Sequence, residues 1–185
     1  MPELTDNQIA DLRALQNNCA ELGAEIVVIG AIAYQVHFPA ESRQTGDIDF
    51  AVALDLDEFA ELERRLVADG WVRFAHREHR WRSVQGTILD LIPAGPKLRE
   101  AKQVTWPASQ FTMSLVGFDH VFASAQPTQL APALTLKVIS STTLTGVLCQ
   151  FPPRGLGLHR CGIVCCDSKR FRFTPSDHQH ATCSL

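Results

Sequence analysis

Apolar and polar positions change period several times along the chain, and each change marks an element. Over residues 6–22, Ile9, Leu12, Leu15, Cys19 and Leu22 recur three or four places apart, the spacing of one buried helical stripe. Thr5 or Asp6 stands where a helix cap belongs, and Gly23 where the helix ends. Cys19 lies on the stripe and reads as a buried thiol. Glu25 to Ile29 is a short β-branched run that predicts a buried strand. Gly30 ends it, and residues 31–36 predict a short helix. Gly46 to Ala53 predicts the next strand. Residues 55–69 predict a second long helix, with Phe59, Leu62 and Leu66 on one face. Asp55 and Asp57 open that helix, with Glu58 three places after Asp55, which is the form of a capping box. These two carboxylates are therefore assigned to capping.

Beyond Gly70, residues 71–74 predict a strand. Residues 80–84 and 87–92 predict two more, joined as a hairpin at Gln85-Gly86. Pro93 to Pro96 breaks the sheet. Residues 97–102 predict one or two helical turns, and residues 111–115 and 118–123 predict strands around Gly117. Residues 128–140 predict a helix, with Leu130, Leu134, Leu136 and Ile139 apolar and Lys137 among them. The expected fold class is α+β: a small mixed or antiparallel sheet flanked by helices over residues 1–140, with an irregular tail over 141–185.

Two strands carry carboxylates that their apolar surroundings do not explain. Asp47 and Asp49 are two residues apart in Gly46 to Ala53, so they project from one face, with Ile48 and Phe50 on the other. Two carboxylates side by side repel unless a cation lies between them. Asp90 interrupts the apolar run Thr87 to Ile92, where a charge is costly unless paired or bound to a cation. If these strands are neighbours, Asp47, Asp49 and Asp90 converge. Such a set suits one or two magnesium ions, which take a few carboxylates together with substrate phosphates. Gly30 at a strand–helix junction admits either a tight turn or the close approach of a phosphate to free N–H groups. Arg73, His76, Arg77, His79, Arg80, Trp81 and Arg82 cluster in sequence. They read either as partners for phosphates or a nucleobase, or as the solvent face of an edge hairpin. Lys137 reads as a snorkelling surface lysine.

Together Gly30, the segment Thr45-Gly46-Asp47-Ile48-Asp49 and Asp90 resemble the signature of the DNA polymerase β-type nucleotidyltransferase superfamily. The resemblance covers about residues 20–140 and is nearest to bacterial AbiEii-type toxins. It implies a nucleotidyltransferase fold and transfer of a nucleoside monophosphate from a nucleoside triphosphate (NTP) to a hydroxyl acceptor. It implies Asp47, Asp49 and Asp90 as the catalytic and metal-binding acids, with Asp90 assisting deprotonation of the acceptor. Gly30, Ala31, Arg43, Thr45 and Lys137 match nucleotide-binding positions. The cofactor implied is Mg2+, as one or two ions. The partners implied are the NTP, an acceptor such as tRNA or a protein, and a cognate antitoxin. Two features depart from the pattern. Ala31 stands where a second glycine or a serine is usual, and no helix is read after Ser141. A degenerate, non-catalytic nucleotide-binding module is the alternative.

Composition narrows the picture in three ways. The net charge of −3 over 185 residues gives no case for wholesale nucleic-acid binding. No apolar run approaches a membrane span, and no signal segment opens the chain, so a cytoplasmic protein with no membrane partner is expected. Charge and cysteine are also uneven. Residues 141–185 hold five basic and two acidic residues, which leaves −6 for residues 1–140, and they hold five of the six cysteines. The tail's Cys161, Cys165, Cys166, His178, His180 and Cys183 fit no zinc spacing, and a disulfide framework conflicts with the expected compartment. A third reading is translation out of frame, which an open alternate frame in the coding DNA would support and frequent stop codons would exclude.

Overall fold

A computed structural model describes residues 3–41 and 46–144. Arg43, Thr45 and the tail readings on residues 145–185 lie outside the described residues. The chain begins with helix α1 (Asp6–Glu21), closed at its start by a capping box between Thr5 and Gln8. Strand β1 (Ile26–Ile29) follows, then helix α2 (Gly30–His37) and strand β2 (Asp47–Val52). Helix α3 (Leu56–Ala68) has Asp55 as its cap, reciprocated by Glu58. Strands β3 (Val72–Phe74), β4 (Arg77–Arg82) and β5 (Ile88–Pro93) form a meander. After helix α4 (Pro96–Ala101), β6 (Gln103–Thr105) and β7 (Thr112–Ser114) pair in a separate ribbon. Helix α5 (Phe118–Ser124) and the hairpin of β8 (Gln126–Ala131) and β9 (Leu134–Val138) complete the elements.

Seven strands make one sheet in the order β3-β4-β5-β2-β1-β9-β8. The β2–β5 and β1–β9 pairs are parallel and the others antiparallel. The sheet is thus mixed and flanked by helices, as expected. One continuous core joins Leu12, Leu15 and Cys19 of α1 and Phe59, Leu62 and Leu66 of α3 to Ile48, Phe50, Leu89, Leu91 and Trp81 of the sheet. Burial raises the Cys19 thiol to about 12, which leaves it protonated and inert.

Two expected elements are corrected. Residues 118–123 are helix α5, not a strand. Residues 128–140 are the β8–β9 hairpin, not a helix. The hairpin closes on Pro132 and Ala133, and Leu134, Leu136 and Val138 alternate with exposed Thr135 and Lys137. That is the period of a half-buried strand, and a proline at this point would break a helix. The basic cluster lies on the β3–β4 hairpin at the sheet edge, with Arg73, His76, Arg77 and Arg82 exposed. Strand β3 forms the edge, β4 lies inside it, and Trp81 is 1% exposed in the core, so its ring is not free to stack on a base. Residues 141–144 make one helical turn that buries Leu144.

Candidate active site

Register brings the three predicted acids together. Asp49 on β2 is paired with Asp90 on β5 and with Ile29 at the end of β1. Asp47 lies two places before Asp49 on the same face, while Ile48 and Phe50 point into the core. Residue 29 leads directly into Gly30 and the start of α2, so one strand end, one helix start and two carboxylate-bearing strands meet.

Gly30 is required here for space as well as conformation. Its φ of +65° lies in the left-handed region, and a Cβ would run into the Asp49 carboxylate. The Ala31 N–H donates a hydrogen bond to that carboxylate. Asp49 therefore occupies the start of α2, where an approaching phosphate was expected. Ala31 supplies its backbone and nothing more to this contact, so the absent hydroxyl or second glycine does not disturb it.

The electrostatics of the site divide the acids. Burial, and then the charges of Asp90 and Asp47, push Asp49 up to about 7, against the opposing pull of Arg80 and the Ala31 hydrogen bond. Asp90 is buried and held from its neighbouring strand by Arg80, its cross-strand partner. Arg80 Nε donates to Asp90 Oδ1 at 2.7 Å, and Nη2 donates to Asp90 Oδ2 at 2.7 Å and to Asp47 Oδ2 at 2.5 Å. Hydrogen bonding to Asp90 raises the guanidinium above its ordinary range despite burial, and the charges of Asp90 and Asp47 add to this. Arg80 was read in the sequence only as one of a basic cluster. A two-residue turn at Gln85-Gly86 would set position 80 opposite 91; the loop instead spans residues 84–86, closed by Ser83 N–H donating to the Thr87 carbonyl, and this sets Arg80 opposite Asp90.

The donor set is chemically suited to magnesium, being oxygen only and anionic. Its placement is not that of a closed cage. Among the described residues, no three carboxylate, imidazole or thiol groups are arranged to hold an ion. One nitrogen of Arg80 bridges the oxygens of Asp47 and Asp90 instead.

Lys137 is not brought to the acids. It lies on β9 opposite Val27, and its ammonium reaches Glu25 at 2.8 Å, at the far end of β1 from Gly30. It remains a partly exposed surface lysine. Arg73 pairs with Glu63 at 3.0 Å, while His76, Arg77 and Arg82 are exposed. Two hollows lie elsewhere. A groove of about 410 Å³ runs past Gln16, Glu25, Thr135 and Lys137, and a hollow of about 200 Å³ lies beside Phe59, Arg73, Glu78 and Trp106. No helix among the described residues is long and apolar enough to cross a membrane.

Neither a protein-family model nor a curated protein matches the sequence. Solved structures do. The solution structure of the antibiotic-resistance factor ANT(2'')-Ia is 13% identical, with 81% of this chain and 76% of that chain covered and a TM-score of 0.49. The crystal structure of ANT(2'')-Ia in complex with adenylyl-2''-tobramycin is 14% identical over 79% of each chain, with a TM-score of 0.47. An antigenic nucleotidyltransferase-like protein from Paracoccidioides brasiliensis is 14% identical, with 78% of this chain and 66% of that chain covered and a TM-score of 0.49. Likeness at this level carries no residue roles to this chain.

Proposed function

We propose that the protein is a magnesium-dependent nucleotidyltransferase that moves a nucleoside monophosphate from an NTP to a hydroxyl acceptor. One observation carries the reading: Asp47 and Asp49 share a strand face in register with Asp90, directly beside the glycine that starts a helix. In-line displacement at phosphorus asks little covalent chemistry of a protein. It asks for carboxylates that gather cations and phosphates, and for backbone that lets them approach. When bound, magnesium supplies charge neutralisation at the phosphates, and Asp47 and Asp49 are the residues that would hold it. Asp90 completes the acidic set and, through Arg80, fixes the spacing between β5 and β2. Arg43 and Thr45, by their place in the motif, belong to the nucleotide side of the site. The motif's resemblance to AbiEii-type toxins extends the proposal to a toxin role, with tRNA or a protein as acceptor, a cognate antitoxin and a cytoplasmic setting.

The test is incubation of the protein with each labelled NTP, Mg2+ and cell extract. Label transfer that disappears in Asp47→Asn is expected. No transfer with any NTP, or transfer equal in the variant, would rule the reading out. A second reading, a nucleotide-binding module without turnover, is favoured by one feature: Ala31 N–H and Arg80 are both already committed to the acids. Calorimetric NTP binding with no transfer would select it.

A further inference from the structure

The arrangement of Arg80 goes beyond the resemblance, and it bears on how an ion would enter. Three carboxylates gather on one sheet face, yet they do not meet around empty space. The Arg80 side chain lies across two of them, 19% exposed, with Asp90 at 11% and Asp47 at 34%. Its two contacts differ in kind. That with Asp90 is bidentate, formed between paired residues of adjacent strands, and more buried. That with Asp47 uses a single nitrogen and a more exposed oxygen. The nitrogen touches one oxygen of each acid, at 2.5 and 2.7 Å. An ion held by Asp47 and Asp49 would need a carboxylate oxygen at about 2.0–2.1 Å from its centre, and the Arg80 nitrogen already stands 2.5 Å from Asp47 Oδ2, so nitrogen and ion compete for that oxygen. Asp49 receives no hydrogen bond from Arg80 and is left with its charge opposed by both neighbouring acids.

We propose that Arg80 is the resident cation of this acidic site, and that a divalent ion enters by displacing its Nη2 from Asp47 while the bidentate contact to Asp90 is kept. Arg80 is then a positioning residue. It holds the acids together before the ion arrives and sets the ion's affinity by competing for Asp47. This rests on the metal-binding reading above. It makes a separate statement, that the affinity of the acids for a divalent ion is held down by an internal charge.

Arginine and lysine differ in the way the proposal needs. Lysine keeps the charge but offers a point donor instead of a planar fork, so it cannot hold Asp90 bidentately and reach Asp47 at once. Glutamine removes the charge. The full-length protein, Arg80→Gln and Arg80→Lys are titrated with Mn2+, with free ion read by electron paramagnetic resonance. Asp49→Asn is titrated alongside to subtract sites elsewhere in the chain. At least tenfold tighter binding is expected in Arg80→Gln, with Arg80→Lys between it and the parent. In the parent, the Arg80 Nε–H resonance should persist on adding Mg2+, while one Nη2 hydrogen bond is lost.

Equal or weaker Mn2+ binding in both variants would overturn the role of Arg80 and leave the metal reading standing. An absence of Asp49-dependent binding in the parent and both variants would overturn both. Should Arg80→Gln fail to fold, Arg80→Lys and the parent's resonance still decide the matter: no change in either on adding the ion refutes competition.

Discussion

At the scale of the residue, Asp49 sets the terms. Its folded value is raised from 3.8 to about 7, with burial the first cause. A raised carboxyl binds more protons folded than unfolded, so the metal-free protein loses stability as pH rises through that window. The loss is complete above about 7 and absent below about 4. The full shift corresponds to ~4 kcal/mol, and with partial solvent access ~1–3 kcal/mol is expected. In chelator at pH 8, Asp49→Asn should therefore melt several degrees above the parent, since asparagine can still accept the Ala31 N–H. At pH 4 the two melts should coincide. Gly30→Ala should cost ~2–4 kcal/mol in urea unfolding, from positive φ and collision with Asp49. Asp49→Ala should recover part of that loss, a coupling that a double-mutant cycle measures. The acids were legible because strand parity and an out-of-place charge are local signals. The Ala31 contact was not, because nothing in the sequence says which anion takes a helix start.

Elements are joined by buried carboxylates that have nothing to do with the acidic site. Asp11 of α1, 4% exposed, accepts from Ser83 Oγ at 2.6 Å and Thr87 Oγ1 at 2.5 Å, tying the helix to the β4–β5 turn. Asp11→Ala strands both hydroxyls in the interior and should cost ~2–3 kcal/mol. Asp11→Asn, which still accepts from them, should cost less; urea midpoints at constant slope compare the two. Asp55 was read as a cap, and it serves two helices: it caps α3 and accepts from Leu98 N of α4 at 3.1 Å. Helices with an apolar stripe and a cap, such as α1 and α3, were legible from one turn of sequence to the next. The errors came where the signals competed. Leu130 and Leu134 are four apart, as in a helix, and outweighed Pro132 and the alternation after it. Phe118, Val121 and Phe122 have helical spacing behind Gly117, with Asp119 in the first turn, and that period was passed over for apolar content. Length and flanking breakers, not hydrophobicity, separate the two states for such short runs.

Across the whole molecule, the sheet is assembled from pairs far apart in the chain. The acidic face depends on the parallel β2–β5 pair, and β9 returns to lie beside β1 more than a hundred residues after it. Register of this kind was beyond the sequence, in which β1, β2 and β5 were legible as strands but their order was not, and β8 and β9 were read as a helix. It also predicts how stability is distributed. The central strands β1, β2 and β5 are hydrogen-bonded on both sides and buried almost throughout, so opening them requires breaking the core. Strand β3 is an exposed edge, β8 is the other edge, and the β6–β7 ribbon stands apart from the main sheet. Amides open with free energies that range from near zero to that of global unfolding, according to how much buried contact each unit must lose. Hydrogen exchange should accordingly rank Val27, Val28, Phe50, Ala51 and Leu91 slowest, with β3 and the β6–β7 ribbon exchanging first. The acids then lie on the most protected strands, so their spacing is preserved through local fluctuations of the rim. If residues 47–52 exchanged as fast as β3, the site would not be held by the core, and its geometry would have to come from a bound ion or from Arg80 alone.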